Sequence, residues 1–285
     1  MKENRRIWLN KKGKKVWRVF LTLSISQSLN FSISSCEKEI AIDYHEADKQ
    51  YVVEASVTDE GMVARISQTN AMDNNSGNSD VSEASVTVSG NDGTSQPLTY
   101  TRNGFYRASQ PGIPGVTYTI DITVGGNHFT STSVMQQPPR ADSFRVVRKK
   151  IMTEWIQMGE LYIQDRPNED NWYFMHIYRN NLGYRWAVMN DRNDPGQKLQ
   201  QLFTFFREGD KDSDVLRDGD ELRVEIRAID QRAYDYLYSM QMMESTGTNP
   251  IANFTGGCLG YFSAHSQLTL NHTYYASTVE TEEGE

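Results

Sequence analysis

Cysteine is scarce in this sequence, which has only Cys36 and Cys258 among its 285 residues. The chain also lacks three motifs that carry enzyme chemistry: the Gly-x-Ser-x-Gly nucleophile elbow, the phosphate-binding glycine loop and the His-Glu-x-x-His zinc pair. Its five histidines are scattered without metal-ligand spacing, so we interpret each as a structural or surface residue. Residues 19–33 are mildly apolar, but they are too few and too polar for a transmembrane helix.

Residues 33–36, Ile-Ser-Ser-Cys, place an aliphatic residue three positions before Cys36 and small residues between them. The apolar residues 19–33 lead into this segment, and upstream lies a basic group that consists of Lys11, Lys12, Lys14, Lys15 and Arg18. This order resembles a bacterial lipoprotein signal peptide. We therefore expect residues 1–35 to be removed and Cys36 to be lipidated, which anchors a protein to a bilayer without spanning it. The alternative is an amphipathic N-terminal helix, although the apolar run lacks helical periodicity and acidic residues.

Residues 36–49 form the predicted acylated tether, which begins Cys-Glu-Lys-Glu. The two glutamates resemble the acidic export signal of Bacteroidota lipoproteins, which leads to the outer face of the outer membrane; a merely solvated tether fits them equally well. Removal of residues 1–35 takes away eight Lys and Arg and one Glu, which leaves 21 basic and 36 acidic residues and a net charge of about −15. Such a chain repels nucleic acid and anionic lipid. We expect a lipid-anchored outer-membrane protein, exposed at the cell surface, with no disulfide, no cofactor and no nucleic-acid partner.

Short alternating strands are the main pattern of residues 50–137. Residues 51–58 and 61–69 flank an Asp-Glu turn and predict a hairpin, and Asn103-Gly104 predicts another. Residues 116–124 alternate strictly between apolar and polar side chains. About seven such strands indicate an N-terminal antiparallel sandwich of the immunoglobulin or transthyretin type.

Pro138-Pro139 marks the predicted domain boundary, because proline does not fit inside a sheet and stiffens a linker. Residues 138–279 then predict a second β-rich domain with longer, more aromatic strands. Residues 172–179 carry apolar side chains on both faces, which indicates a central strand between packed layers. One helix is expected to begin after Asp230 as its N-cap and to end before Gly247.

The chain after residue 279 is acidic, and residues 280–285 are predicted to be a frayed tail. The fold class expected for the mature chain is thus mostly β, a sandwich followed by a β-rich domain with one helix.

One acidic stretch has the oxygen spacing of an EF-hand loop, with ligand positions at Asp210, Asp212, Asp214, Asp218 and Glu221. Val215 stands where the loop needs glycine, and flanking helices are not expected. A solvated acidic loop is therefore the preferred interpretation, and metal binding is the weaker hypothesis.

Aromatic residues provide a second binding hypothesis, since aromatic faces stack on sugars and peptides. The candidates for such a platform are Trp155, Tyr162, Trp172, Tyr184 and Trp186. Alternation favours a core position for most of them. Trp155 and Trp186 lie outside the cleanest periodic runs, so these two are the predicted ligand-binding residues. Cys258 lies in an apolar run and is predicted to be a buried, inert thiol.

Four segments carry a specific family resemblance. They are Cys-Glu-Lys-Glu-Ile at residues 36–40, Tyr-Val-Val-Glu-Ala at 51–55, residues 115–119, and the glycine-rich residues 249–262. Together they resemble the Bacteroidota lipoprotein family called domain of unknown function 4249. The resemblance implies a surface lipoprotein that is often encoded beside a TonB-dependent outer-membrane receptor and has no established catalytic activity.

The sequence leaves two main function classes and a third, less favoured one. The first is a non-catalytic accessory that captures a small molecule, glycan or peptide for a TonB-dependent transporter, where lipid anchoring raises its effective concentration. The second is a surface hydrolase with carboxylates as acid and base. The third is a structural adhesin or secretion accessory. We expect the first.

Overall fold

The structure is a computed structural model, and it describes residues 48–70, 79–167, 169–192, 198–205 and 215–282. The predicted fold class is confirmed, because these residues are mostly β, with four sheets and one α-helix among them. Contacts group them in one unit, residues 47–285. None of the helices in the described ranges has both the length and the apolar character that a membrane span requires.

The first eight strands are short and precede residue 135: β1 (Tyr51–Thr58), β2 (Gly61–Gln68), β3 (Ser85–Gly90), β4 (Ser95–Pro97), β5 (Thr99–Arg102), β6 (Phe105–Ala108), β7 (Thr117–Val124) and β8 (Asn127–Val134). The helix α1 spans Gln231–Thr246. The remaining strands lie on either side of it: β9 (Arg140–Ile151), β10 (Glu154–Gln164), β11 (Trp172–Arg179), β12 (Leu182–Asn190), β13 (Lys198–Phe205), β14 (Glu221–Ile229), β15 (Leu259–Ala264), β16 (Ser266–Thr273) and β17 (Glu280–Glu282).

The first sandwich packs a five-stranded sheet, in the order β15-β1-β2-β6-β5, against a four-stranded sheet, β4-β3-β7-β8. Alternation explains the packing, since Val53 and Val57 of β1 and Ile120 and Ile122 of β7 are fully buried between the sheets. The predicted Asn103-Gly104 turn joins β5 to β6 with both residues at positive φ, 51° and 74°. These angles are typical of the type I′ hairpin turn that the dipeptide favours.

One strand of this first sheet comes from the far end of the chain. β15 pairs with β1 in parallel, and Phe262 and Ala264 are buried in the first core. Gly260 permits this approach, because a Cβ there would lie 1.9 Å from the carbonyl oxygen of Val53, at a φ of +99°. The sandwich predicted for residues 50–137 therefore contains a strand from the region assigned to the second domain.

The second sandwich packs the sheet β13-β10-β9-β17 against the sheet β12-β11-β14-β16. β11 is a central strand, as predicted from its two apolar faces. Met175 and Ile177 point into the core between these sheets, whereas Phe174 packs on the opposite face, against the helix.

The helix α1 begins where the sequence predicts. Asp230 is the N-cap, and its Oδ1 accepts a hydrogen bond from the backbone N of Ala233 at 2.9 Å. Gly247 ends the helix in the left-handed conformation, with φ 65°. Ala233 and Leu237 bury its apolar stripe against β11 and β14.

Residues 280–282 correct the expectation of a frayed acidic tail, because they form β17, which pairs in parallel with β9. The physical reason is charge. Arg145 on β9 contacts both Glu280 and Glu282, at 2.5 and 2.9 Å. The positive charge of Arg145 on β9 thus stabilises two glutamates of β17 that the acidic composition alone would predict to be exposed to solvent.

Candidate functional site

A cavity of about 780 Å³ opens at one end of the second sandwich. Its walls come from the hairpin of β9 and β10, from the end of β13, and from the C-terminal segment that follows β16. Its size lies within the range of about 300–1,000 Å³ that is usual for small-molecule sites. Aromatic, aliphatic and polar side chains all contribute to the lining.

The aromatic wall is built around Trp155, whose position on β10 follows from the strand register. Trp155 is 38% exposed, and the guanidinium of Arg148 lies 5.4 Å from the centre of its ring. Phe205 is buried at the end of β13 and lines the same cavity. The arrangement leaves part of an indole surface open beside a cation, which suits stacking against a ligand.

The polar floor is centred on Gln157, two residues further along β10. Its Nε2 donates to the hydroxyl of Tyr274 at 2.5 Å, and its Oε1 accepts from the backbone N of Leu216 at 3.0 Å. Burial raises the pKa of Tyr274, and the charge of Asp218 adds to the effect. The tyrosine is therefore a neutral hydrogen-bonding group at neutral pH.

The lip of the cavity at residues 215–220 is fixed by a buried ion pair. Arg179 Nη2 lies 2.6 Å from Asp220 Oδ2 and also donates to the carbonyl oxygen of Val215 at 2.9 Å. Burial alone would raise the pKa of Asp220, but hydrogen bonds from the Arg217 backbone, Asn180 and Arg179 outweigh it and lower the pKa. The carboxylate thus stays charged and keeps the lip in place at neutral pH.

The C-terminal strand closes another side of the cavity. Val279 and Thr281 line the cavity, while Glu280 and Glu282 lie on the other face of β17, where they contact Arg145. One short strand thus contributes both to the lining and to an ionic cluster behind it.

Glu160 is the buried centre of that ionic cluster. Its carboxylate lies 2.7 Å from Arg145 Nη2 and 2.6 Å from Lys149 Nζ, and its side chain is fully buried. Burial by itself raises the pKa of Glu160, but the hydrogen bonds from Lys149 and Arg145 overcome this effect, and the pKa is lowered. Lys149 also reaches Glu282, at 3.1 Å, so the cluster joins β10, β9 and β17.

The structure places the two predicted ligand-binding residues apart. Trp155 lines the cavity on β10, whereas Trp186 on β12 packs against the helix cluster, with its ring 5.9 Å from Phe174. Tyr184 stacks on Phe205 at 5.3 Å, and Trp172 packs against the same helix cluster as Trp186. The five aromatic residues therefore form no common platform.

Tyr162, the fifth aromatic candidate, lies outside the core clusters. The ammonium group of Lys198 lies 4.4 Å from the centre of its ring, and its hydroxyl is 3.3 Å from Glu160. Tyr162 thus belongs to the charged face of β10 and not to the cavity.

Most of the predicted EF-hand ligands, Asp210, Asp212 and Asp214, lie outside the described residues, as does Cys36. Asp218 is described, and its Oδ1 accepts from the backbone N of Ala276 at 2.6 Å. Glu221 is an exposed residue at the start of β14. Within the described ranges, no three His, Cys, Asp or Glu side chains are grouped so as to hold a metal ion.

Cys258 is a buried free thiol, as predicted, and burial raises its pKa to about 12. His265 lies equally deep, with Nδ1 3.1 Å from the hydroxyl oxygen of Ser263. Burial lowers the pKa of His265 to about 3. Neither group lines the cavity.

Sequence reasoning identified Trp155 but missed the rest of the cavity. Arg148 and Gln157 share its inner face on β9 and β10, so the strand alternation was a usable signal for them. Tyr274 and Thr281 lie more than 100 residues away along the chain, and no local pattern connects them with Trp155.

Comparison with known proteins gives one match. The family model described as Domain of unknown function (DUF4249) covers residues 37–270, which include Trp155, Gln157 and the glycine-rich segment before β15. No curated protein matches the chain. Since the family model spans well over half of the sequence, the chain belongs to the family Domain of unknown function (DUF4249).

Proposed function

We propose that the protein is a lipid-anchored surface lipoprotein of the outer membrane that captures a ligand in the cavity beside Trp155 for a TonB-dependent transporter. The single observation that carries ligand capture is the cavity itself, about 780 Å³ with an accessible indole wall and a hydrogen-bonded polar floor. Residues 33–36, which resemble the end of a lipoprotein signal peptide, and the acidic residues after Cys36 support the surface location.

The ligand is a small glycan or peptide, because the wall and the floor offer different contacts. The indole of Trp155 suits a flat apolar face, whereas Arg148, Gln157 and Thr281 offer hydrogen-bonding groups around it. Anchoring at Cys36 keeps the cavity close to a transporter in the same membrane, so that even a weak ligand is retained during uptake.

Ligand capture is tested by titrating the purified protein with a panel of defined oligosaccharides and oligopeptides while its tryptophan fluorescence is recorded. Trp155→Ala is expected to weaken binding at least about tenfold, since a central aromatic contact contributes most of the affinity. Trp186→Phe is the matched control and keeps the affinity, because its ring packs under the helix. Equal losses in both variants would place the ligand elsewhere.

The location and partner are tested in cells. The wild-type protein is expected to incorporate labelled palmitate and to copurify with the TonB-dependent transporter from solubilised outer membrane. Both results are expected to be lost in Cys36→Ala. A protein recovered alone, together with unchanged uptake after deletion of its gene, contradicts the transporter role and leaves the adhesin or secretion role.

The hydrolase alternative is tested with the same protein. Glu154 is an acidic residue of the cavity lining, so a hydrolase working there loses turnover in Glu154→Gln. The capture role predicts instead that bound oligosaccharides and peptides are recovered intact.

A further inference from the structure

The turn between β9 and β10 contains a residue type that its backbone conformation does not favour. Ile151 pairs with Glu154, so the turn consists of Met152 and Thr153. Met152 has a φ of 54°, in the left-handed region that residues other than glycine, asparagine and aspartate rarely adopt. At the same position, three other two-residue turns have the residue types that this conformation favours, with φ of 51°, 55° and 50°: Asn103, Gly125 and Asn180. The methionine is thus kept against a backbone cost, which points to a role for its side chain.

Apolar side chains are exposed around this turn. Met152 is 93% exposed, the highest value among the large apolar residues of the described ranges, and Ile151 is 43% exposed. Trp155, at 38%, follows three residues later. Exposed apolar residues are ordinary when they are scattered, but three within five residues at one end of a hairpin form a group. Ile151 and Met152 do not line the cavity, so ligand capture there does not account for their exposure.

The same end of the hairpin is basic. Residues 148–155, called the hairpin tip below, contain three basic residues and one acidic residue, Glu154. Arg148 and Lys150 are exposed, whereas Lys149 belongs to the ionic cluster behind the cavity. The tip is therefore positively charged in a chain whose net charge is −8.

We propose that the hairpin tip is a membrane-contact site, where Ile151 and Met152 enter the interfacial layer of a phospholipid bilayer and Arg148 and Lys150 bind lipid phosphate groups. Basic residues beside exposed apolar ones are the combination that binds interfacial segments to anionic bilayers. The rest of the chain is acidic, so its repulsion from such a bilayer orients the tip toward the surface. Membrane contact at the tip goes beyond ligand capture and does not require lipidation of Cys36.

The size of the tip favours a bilayer over a protein partner. A stable protein interface buries about 800 Å² on each side and involves about 20–30 residues. The exposed apolar part of the tip consists of Ile151, Met152 and part of Trp155, which is far less. A bilayer interface needs no complementary pocket and accepts a few apolar side chains with weak, reversible affinity. Because Trp155 also lines the cavity, contact at the tip holds that side of the cavity next to the membrane.

The test is cosedimentation of the chain 37–285 with lipid vesicles. This chain contains the whole compact unit of residues 47–285 and lacks Cys36. It is expected to bind vesicles of phosphatidylcholine with about 30% phosphatidylglycerol, and to bind them less in about 0.5 M salt. Brominated phosphatidylcholine in the same vesicles is expected to quench the tryptophan fluorescence of the bound protein, because Trp155 lies at the tip.

The double variant Ile151→Thr, Met152→Asn is expected to lower the vesicle partition coefficient at least about tenfold, because both apolar contacts are lost. Its melting temperature is not expected to fall, since asparagine accepts the φ of residue 152. Its affinity for the oligosaccharide and peptide panel is also expected to stay, because neither residue lines the cavity. Lys150→Gln is expected to weaken binding to the same vesicles about fivefold.

Leu182→Thr is the matched control, because Leu182 is 75% exposed and follows another two-residue turn, Asn180-Asn181. This variant is expected to bind vesicles like the wild type. A wild-type chain that does not bind, or equal binding by the wild type and the double variant, overturns the membrane-contact site, as does an equal loss in Leu182→Thr. Loss of transporter copurification in the double variant, with vesicle binding unchanged, assigns the tip to a protein partner and also overturns it.

Discussion

At the residue scale, His265 couples the stability of the protein to pH. It is 4% exposed, and burial together with the charge of Arg227 lowers its pKa to about 3, from an ordinary 6.5. The unfolded chain binds a proton below about pH 6.5, whereas the folded protein does so only near pH 3. Stability therefore falls as the pH drops from about 6.5, by up to about 1.4 kcal/mol per unit.

His265→Asn is expected to flatten this dependence, because asparagine does not titrate. The measurement is the urea midpoint between about pH 7 and pH 4. His128→Gln is the control, since the His128 side chain is exposed and pairs with Asp121 at the surface. If the urea midpoint of His265→Asn falls with pH as steeply as that of the wild type, other groups cause the acid sensitivity.

Gly260 allows a second prediction at this scale. A Cβ at this residue lies 1.9 Å from the Val53 carbonyl oxygen, so Gly260→Ala must separate β15 from β1 and is expected to destabilise the fold by more than about 2 kcal/mol. Gly257→Ala is the matched control. Gly257 has a similar φ of +90°, but the space around an added methyl group is open. Gly257→Ala is therefore expected to lower the free energy of unfolding by about 1 kcal/mol. Chemical unfolding of both variants gives the comparison, and equal losses contradict the close approach.

At the scale of the elements, strand β17 forms part of one wall of the cavity. A chain that ends at Thr278 loses β17 and is expected to be less stable by about 1–3 kcal/mol, because partly exposed ion pairs and a few backbone hydrogen bonds are removed. Amide hydrogen exchange in β9 is expected to accelerate within residues 147–149, which pair with β17. A chain that ends at Glu282 keeps the strand and is the control. Unchanged exchange in the shorter chain means that β17 does not protect β9.

The same cluster has a defined sensitivity to pH. Because the pKa of Glu160 is lowered, its contribution to stability is present above its ordinary value of 4.5 and is lost as the pH falls through the lowered pKa. The ion pairs of Glu160 with Arg145 and Lys149 thus persist through mildly acidic conditions, where His265 already destabilises the protein.

Local pattern predicted the elements well but not their partners. The alternation of β1 and β11 and the Asp230 cap were sufficient to place those elements within a residue or two. The parallel pairing of β15 with β1 joins residues about 200 positions apart, and no local periodicity encodes such a pairing. β17 was missed because an acidic composition is typical of a solvated tail, whereas its partner Arg145 is distant in sequence. Of the cavity, Trp155 was predicted and alternation along β9 and β10 could also have identified Arg148 and Gln157, whereas the other walls come from separate segments.

At the scale of the whole molecule, the two sandwiches are joined by more than a linker. Asp230, the cap of α1, also accepts a hydrogen bond from the backbone N of Val134 on β8, at 2.9 Å. Arg232 donates to Thr132 on β8 and to the carbonyl oxygen of Asn253, and Ser131 donates to Asn253. The edge of the first sandwich thus rests on the helix and on the segment that leads into β15.

This joining predicts that residues 50–137 do not fold alone. The isolated fragment lacks Phe254, Cys258, Phe262 and Ala264, four buried members of the first core, and exposes the edge of β1 where β15 belongs. We expect the fragment to show no cooperative unfolding, whereas coexpression with residues 138–285 recovers a complex with protected β1 amides. Two variants of the chain 37–285, one with Gly260→Ala and the other with Gly257→Ala, show how far weaker pairing of β15 reduces the cooperativity of unfolding. A fragment that unfolds cooperatively, with the midpoint of the full chain, shows instead that β15 is an accessory to an independent domain.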